Sequence, residues 1–263
     1  MKLLYYILII IILLIVVFFL LMFITDTNKY DEPIYDFNQI KRNFKTGDII
    51  LFSCNKHSSL LDRAAYYCRT EFLGSPYGHC GIILRDGKNL YLVECTTAEH
   101  TSYEKAMHLN NYNKGGVRII DLETMIQDYY NENGGFFGVK YIKEEIPNQI
   151  FFDNLMKYKE SIFENKFLLF LFAIVDVIVS NSAAKKFINL YYGPEDQDHS
   201  KRMMCCEFIY RMLKDCGAVM DYQAKLFWPY LFTNGKFDEL SIMKFSKPVR
   251  FTSIKYHQQE NYY

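Results

Sequence analysis

The longest hydrophobic pattern is a run free of charge over residues 3–24, 22 residues in all. As a helix rising ~1.5 Å per residue it would reach ~33 Å, enough to cross the hydrocarbon core of a bilayer. A transmembrane anchor is therefore expected over residues 1–25. The run passes into Thr25 and Asp26 without the small residues of a cleavage site, so it is expected to be retained. Residues 26–44 are polar, carry Pro33 and show no sustained period, which predicts a tether. A folded domain over 45–263 follows. The turn Lys45-Thr46-Gly47-Asp48 leads into a strand at 49–52, and Ser59 with Asp62 opens a helix running to about residue 72. Apolar stretches at 79–84 and 90–94 flank Asp86-Gly87 and predict a β-hairpin. Strands at 117–120 and 136–142 enclose a helix at 122–130.

The pattern turns helical between about 150 and 200, an insertion in which 167–179 holds Asp176 as its one charge. That length suits a buried helix better than a second span. Ser200 then offers an N-cap for a helix over 203–215, closed by Gly217. Cys205, Phe208, Ile209, Met212 and Cys216 share one face of it, with Cys205 in its first turn. The fold class is α+β, a small antiparallel sheet packed on this helix.

Composition removes several function classes. Thirty basic and thirty acidic side chains leave no net field, so no nucleic-acid partner is expected. The 22 Tyr and 22 Phe, with abundant Asn, Lys and Ile, point to an AT-rich coding genome such as that of a large DNA virus. Seven cysteines, at 54, 68, 80, 95, 205, 206 and 216, are odd in number and lack C-x-x-C spacing. Neither a zinc ribbon nor a complete disulfide framework is indicated, and at least one thiol is free. His57, His100, His108, His199 and His257 lack metal-ligand spacing, so neither metal nor cofactor is implied.

Candidate chemistry gathers at three residues. A thiol in the first turn of a helix meets unpaired N–H groups and the positive end of the macrodipole, which favour its thiolate. Cys205 stands there, with Cys206 rotated about 100° away towards Tyr210 and Leu213. His79 opens one strand of the hairpin and Glu94 closes the other, where a carboxylate can fix the imidazole tautomer. If His79 faces the helix, Gly81 and Ile83 share its face.

Four blocks in this order resemble the permuted NlpC-type papain-like proteins, a group that includes bacterial YiiX-like proteins, a poxviral family and, more distantly, lecithin retinol acyltransferase. They are Thr46-Gly47-Asp48-Ile49-Ile50-Leu51-Phe52, Tyr77-Gly78-His79-Cys80-Gly81-Ile82-Ile83-Leu84, Tyr91-Leu92-Val93-Glu94-Cys95-Thr96 and Cys205-Cys206-Glu207-Phe208-Ile209. The resemblance covers most of residues 45–222, with 110–200 unmatched, and Met204 stands where unpermuted relatives carry an acid. It implies Cys205 as nucleophile, His79 as base and Glu94 as third polar residue. The function it implies is a membrane-anchored cysteine hydrolase or acyltransferase acting on an amide, peptide or lipid acyl substrate. The alternative is a non-catalytic membrane or virion protein that uses the same fold to bind lipid or a partner.

Overall fold

The computed structural model describes residues 34–53, 66–67, 70–71, 73–97, 107–108, 115–164, 181–192 and 201–253. The expected anchor at 1–25, most of the expected helix at 59–72, the apolar stretch 167–179, Ser200, and His57, His100, His199 and His257 lie outside these residues, as do Cys54 and Cys68. Among the described residues no helix is long and apolar enough to cross a membrane.

Ten strands are described: β1 (Tyr35–Asp36), β2 (Ile49–Ser53), β3 (Tyr77–Asp86), β4 (Asn89–Thr96), β5 (Met107–His108), β6 (Gly116–Asp121), β7 (Phe137–Lys140), β8 (Ile162–Phe163), β9 (Arg202–Met203) and β10 (Val249–Thr252). Eight form one sheet in the order β1-β10-β7-β2-β3-β4-β6-β5, antiparallel except where β1 pairs with β10. The sheet is thus larger than the small one expected. Its additions are short edge strands, too brief for a periodic signal. β8 and β9 make a separate parallel pair.

Helix α1 (Phe37–Ile40) follows β1, α2 (Leu122–Asn133) links β6 to β7, and α3 (Asn148–Leu155) follows β7. Then come α4 (Asn181–Tyr192), α5 (Cys205–Asp215) and α6 (Lys236–Leu240). Both faces of the sheet are covered, which is why β2 reads as a continuous apolar run rather than an alternation. On one face Leu51, Cys80, Ile82, Val93 and Cys95 pack with Phe208, Ile209 and Met212 of α5. On the other, Ile50, Phe52, Ile83 and Leu92 pack with Phe37, Phe44 and the α2 residues Met125 and Ile126.

Two expectations need correction. The tether does not reach residue 44: Phe37, Ile40 and Phe44 are buried, and β1 joins the sheet. Their i, i+3, i+7 spacing carries an apolar stripe too short to stand out among polar neighbours. The α5 helix starts at Cys205 rather than 203, because Arg202 and Met203 are held extended by pairing with Ile162 and Phe163. The facing of His79, open in the sequence, is settled as well: the side of β3 that meets α5 carries Cys80, Ile82 and Leu84, so His79, Gly81 and Ile83 lie on the opposite side of the pleat.

Candidate active site

Cys205 is the first residue of α5, after an N-cap Met204 that is extended and makes no side-chain capping bond. The first-turn amides therefore lack intrahelical acceptors, and their positive potential falls on the Cys205 side chain. Gly217, with φ 73°, lets the chain leave the other end of the helix in the left-handed region. Nearly the whole helix is buried; Cys205 keeps 8% exposure and Cys206 none.

His79, Glu94 and Arg118 stand on three neighbouring strands, on the α2 side of the sheet. Glu94 pairs directly with Arg118 across β4 and β6. The hairpin register, Ile82 opposite Val93, carries Glu94 diagonally across from His79. Gly81 lies between them. A Cβ there would meet Leu92 Cδ1 at 2.5 Å, so this position admits no larger residue without displacing Leu92 beside Glu94. His79 Nε2 lies 2.5 Å from Glu94 Oε2, and Arg118 donates from Nε and Nη2 to Glu94 Oε1 at 2.7 and 2.5 Å. Both Glu94 oxygens are thus engaged in a place with no solvent. Burial pushes the Glu94 carboxyl upward, but the Arg118 and His79 charges outweigh it and hold its pKa at about 2.

The His79 ring packs against Phe52, centroids 5.2 Å apart, and 18% of its side chain remains exposed. It lies near the start of β3, where pairing with β2 shifts register between Phe52 and Ser53. The Cys205 charge bears on the ring from the neighbouring helix. Burial opposes a charge on His79, yet Cys205 and then Glu94 raise its pKa to about 10. In the other direction, hydrogen bonds from Cys206 and Cys80 lower the Cys205 pKa against burial, and the His79 cation lowers it further. With Nε2 held by Glu94, Nδ1 is the ring nitrogen that Glu94 leaves unengaged.

Cys206 turns to Cys80, with the two Sγ atoms 3.0 Å apart, while its own Sγ lies 3.6 Å from that of Cys205. Burial raises the pKa of both Cys80 and Cys206, which favours the protonated thiol at each. The Cys80, Cys205 and Cys206 sulfurs lie within 4.8 Å of one another, close enough to share a soft metal ion. Glu207, one residue further along α5, is buried and held by Lys225 Nζ at 3.0 Å and Arg211 Nε at 3.0 Å. Lys225 also donates to the Arg202 carbonyl, tying β9 to the start of the helix.

Sequence reasoning did not single out Arg118, Cys80 or Lys225. Arg118 follows from the strand pairing at 117–120, but only once the register is known. Cys80 had a local signal, since period-two alternation sets it on the side opposite His79.

The chain is 40% identical over 220 residues to the uncharacterized protein R372 of Acanthamoeba polyphaga mimivirus, an alignment covering 83% of this chain and 86% of that protein. It belongs to the family of that protein. The relative comes from a large DNA virus, in keeping with the source that the aromatic-rich composition suggests. No family model matches the chain. Among solved structures, the metalloprotein YiiX of Escherichia coli O157:H7 is similar at 15% identity over 77% of this chain and 88% of that one. Its TM-score is 0.33, too low for the likeness to bear on the chemistry.

Proposed function

We propose that this protein is a thiol hydrolase or acyltransferase in which Cys205 is the nucleophile, His79 the general base and acid, and Glu94 the group that orients His79. Residues 3–24 would anchor it to a membrane as a single pass. The observation that carries this reading is a thiol at a helix N-terminus, packed on the strand that bears His79, whose Nε2 is held by a buried carboxylate. Such a pair rests as thiolate and imidazolium.

In the proposed reaction the Cys205 thiolate attacks an acyl carbonyl, forming a carbon–sulfur bond. The first-turn amides of α5 are the donors available to the developing oxyanion. His79 gives its proton to the departing amine or alcohol, and a thioester on Cys205 remains. Acylation also removes the charge on Cys205, the foremost influence raising the His79 pKa. The ring then drops towards its ordinary range and can take a proton from water or an acceptor alcohol that attacks the thioester. Glu94 holds the tautomer throughout, and Arg118 keeps Glu94 ionised. The apolar anchor favours an acyl group presented at a membrane, a lipid ester or thioester, over one in solution.

The test is to incubate the full chain with peptide amides, lipid esters and acyl thioesters and to search by mass spectrometry for an acyl adduct on Cys205. An adduct on Cys205 that forms and turns over in the parent, and that both forms and turns over more slowly in His79→Ala, supports the proposal. No adduct with any donor, together with no preferential labelling of Cys205 by a thiol probe, returns the protein to a non-catalytic membrane or virion role.

A further inference from the structure

The mechanism leaves two buried thiols unused, and both lie within 4.8 Å of the sulfur it does use. Cys80 lies on β3 and Cys206 on α5, and all three sulfurs fall within 4.8 Å. Cys205 is the member with solvent access, at 8%, whereas Cys80 and Cys206 have none. A small oxidant entering along the substrate's route therefore meets Cys205 first, and whatever forms there has two thiols behind it.

We propose that Cys205 is a site of reversible modification by hydroperoxides, with Cys80 as the second thiol that converts the oxidised sulfur into a disulfide. The inference rests on the reading of Cys205 as the nucleophile. In the first step the Cys205 thiolate attacks the terminal oxygen of a hydroperoxide. A sulfur–oxygen bond forms, the oxygen–oxygen bond breaks, and water or an alcohol leaves with the proton that His79 carries. Sulfur is oxidised to sulfenic acid and the peroxide is reduced. In the second step the Cys80 thiol attacks the sulfenic sulfur, a sulfur–sulfur bond forms, and the hydroxyl departs as water with the Cys80 proton.

Partner choice follows from the backbone. Cys205 and Cys206 are consecutive residues of a helix, and a disulfide between them would close a ring of eight atoms through one peptide unit, which helical dihedrals do not accommodate. Cys80 carries no such constraint, because it reaches the same sulfur from a separate strand. Cys206, 3.0 Å from Cys80, can afterwards exchange into the bond: its sulfur bonds to that of Cys80, the bond to Cys205 breaks, Cys205 leaves as thiolate and the Cys206 proton passes to His79, which gave up its own in the first step. Without Cys80 the sulfenic acid would meet more peroxide and proceed to sulfinic acid, which thiols do not reverse.

The experiment treats the full chain with hydrogen peroxide in the presence of EDTA, then follows iodoacetamide labelling of Cys205 and maps tryptic peptides. Cleavage yields peptide 70–85, whose one cysteine is Cys80, and peptide 203–211, which holds Cys205 and Cys206. The expected product joins these two peptides with loss of two hydrogens, and a phosphine reductant restores Cys205 labelling. In Cys80→Ala the cross-link disappears and irreversible loss of Cys205, with two added oxygens, should run about tenfold faster than in the parent. Cys206→Ala should keep both cross-link and recovery. Should Cys80→Ala fail to fold, the cross-linked peptide in the parent decides alone. Sulfinic acid at Cys205 without the cross-link, a disulfide confined to peptide 203–211, or lost labelling that a stronger chelator restores would each overturn the inference. Preferential labelling of Cys205 before peroxide is added separates the two readings. Its absence defeats the nucleophile; its presence without the cross-link defeats this inference alone.

Discussion

Removing the Arg118 guanidinium should weaken the fold and the site together, and by separable routes. Arg118→Met keeps apolar bulk along the stem but deletes both donors to Glu94 Oε1. The Glu94 side chain has no exposure, so its charge cannot turn to water. Breaking one side of a buried pair costs about 3–5 kcal/mol, a large part of the roughly 5–15 kcal/mol that holds a domain together. The Glu94 pKa is held at about 2 by Arg118 and His79 against burial. With Arg118 gone it rises, the carboxyl takes up a proton more readily, and its support for the His79 cation weakens. The His79 pKa then falls from about 10, and thiolate formation at Cys205 moves to higher pH. Urea unfolding at neutral pH measures the first effect, and the pH profile of iodoacetamide reaction at Cys205 measures the second. The double variant with Glu94→Gln removes both charges and should recover much of the lost stability while leaving Cys205 less reactive than in the parent. Stability within about 0.5 kcal/mol of the parent for Arg118→Met, with an unchanged profile, would refute the argument. A double variant no more stable than Arg118→Met would assign the loss to packing rather than to the stranded charge.

His79→Ala should move Cys205 alkylation from mildly acidic pH towards that of an ordinary thiol near ~8.5, and turnover on any identified substrate should fall by about two to four orders of magnitude. Glu94 sets an acid limit on the fold. Its pKa is depressed from 4.5 to about 2, so its stabilisation is complete above about 4.5 and fades as pH falls through about 2. The shift corresponds to about 3 kcal/mol. Buried Asp48, raised to about 7, acts in the opposite sense between its unfolded value and neutrality, so the readout is the difference in urea midpoint between parent and Glu94→Gln across that acid range. Deleting residues 1–33 should leave a domain with cooperative unfolding, followed by circular dichroism. Deleting 1–44 should not, because it removes Phe37, Ile40 and Phe44 from the core, and large apolar truncations of this kind cost about 3–5 kcal/mol each.

Legibility in the sequence followed the range of the interactions. The hairpin, the turn at Lys45–Asp48, the strands around α2 and the α5 helix with its Gly217 stop are set by neighbours within a few residues, and all can be read along the chain. So can the convergence of Glu94 and His79, since one hairpin register places them diagonally. What could not be read is what the sheet order decides. Arg118 is an unremarkable cation in an apolar strand until β6 is known to lie beside β4; only then does it stand opposite Glu94. Cys80 shows the same limit more sharply. Alternation along β3 assigns it and His79 to opposite sides without saying which side faces α5. The pleat turns Cys80 to the helix and leaves His79 on the other side, near the start of the strand, where the β2 pairing is irregular. That arrangement has a chemical consequence which an inward histidine would not have had. In the proposed reactions the Cys205 sulfur has the buried Cys80 and Cys206 thiols within 4.8 Å and draws its base from the other side of the strand, so acyl transfer and sulfur oxidation would use the same atom with different partners.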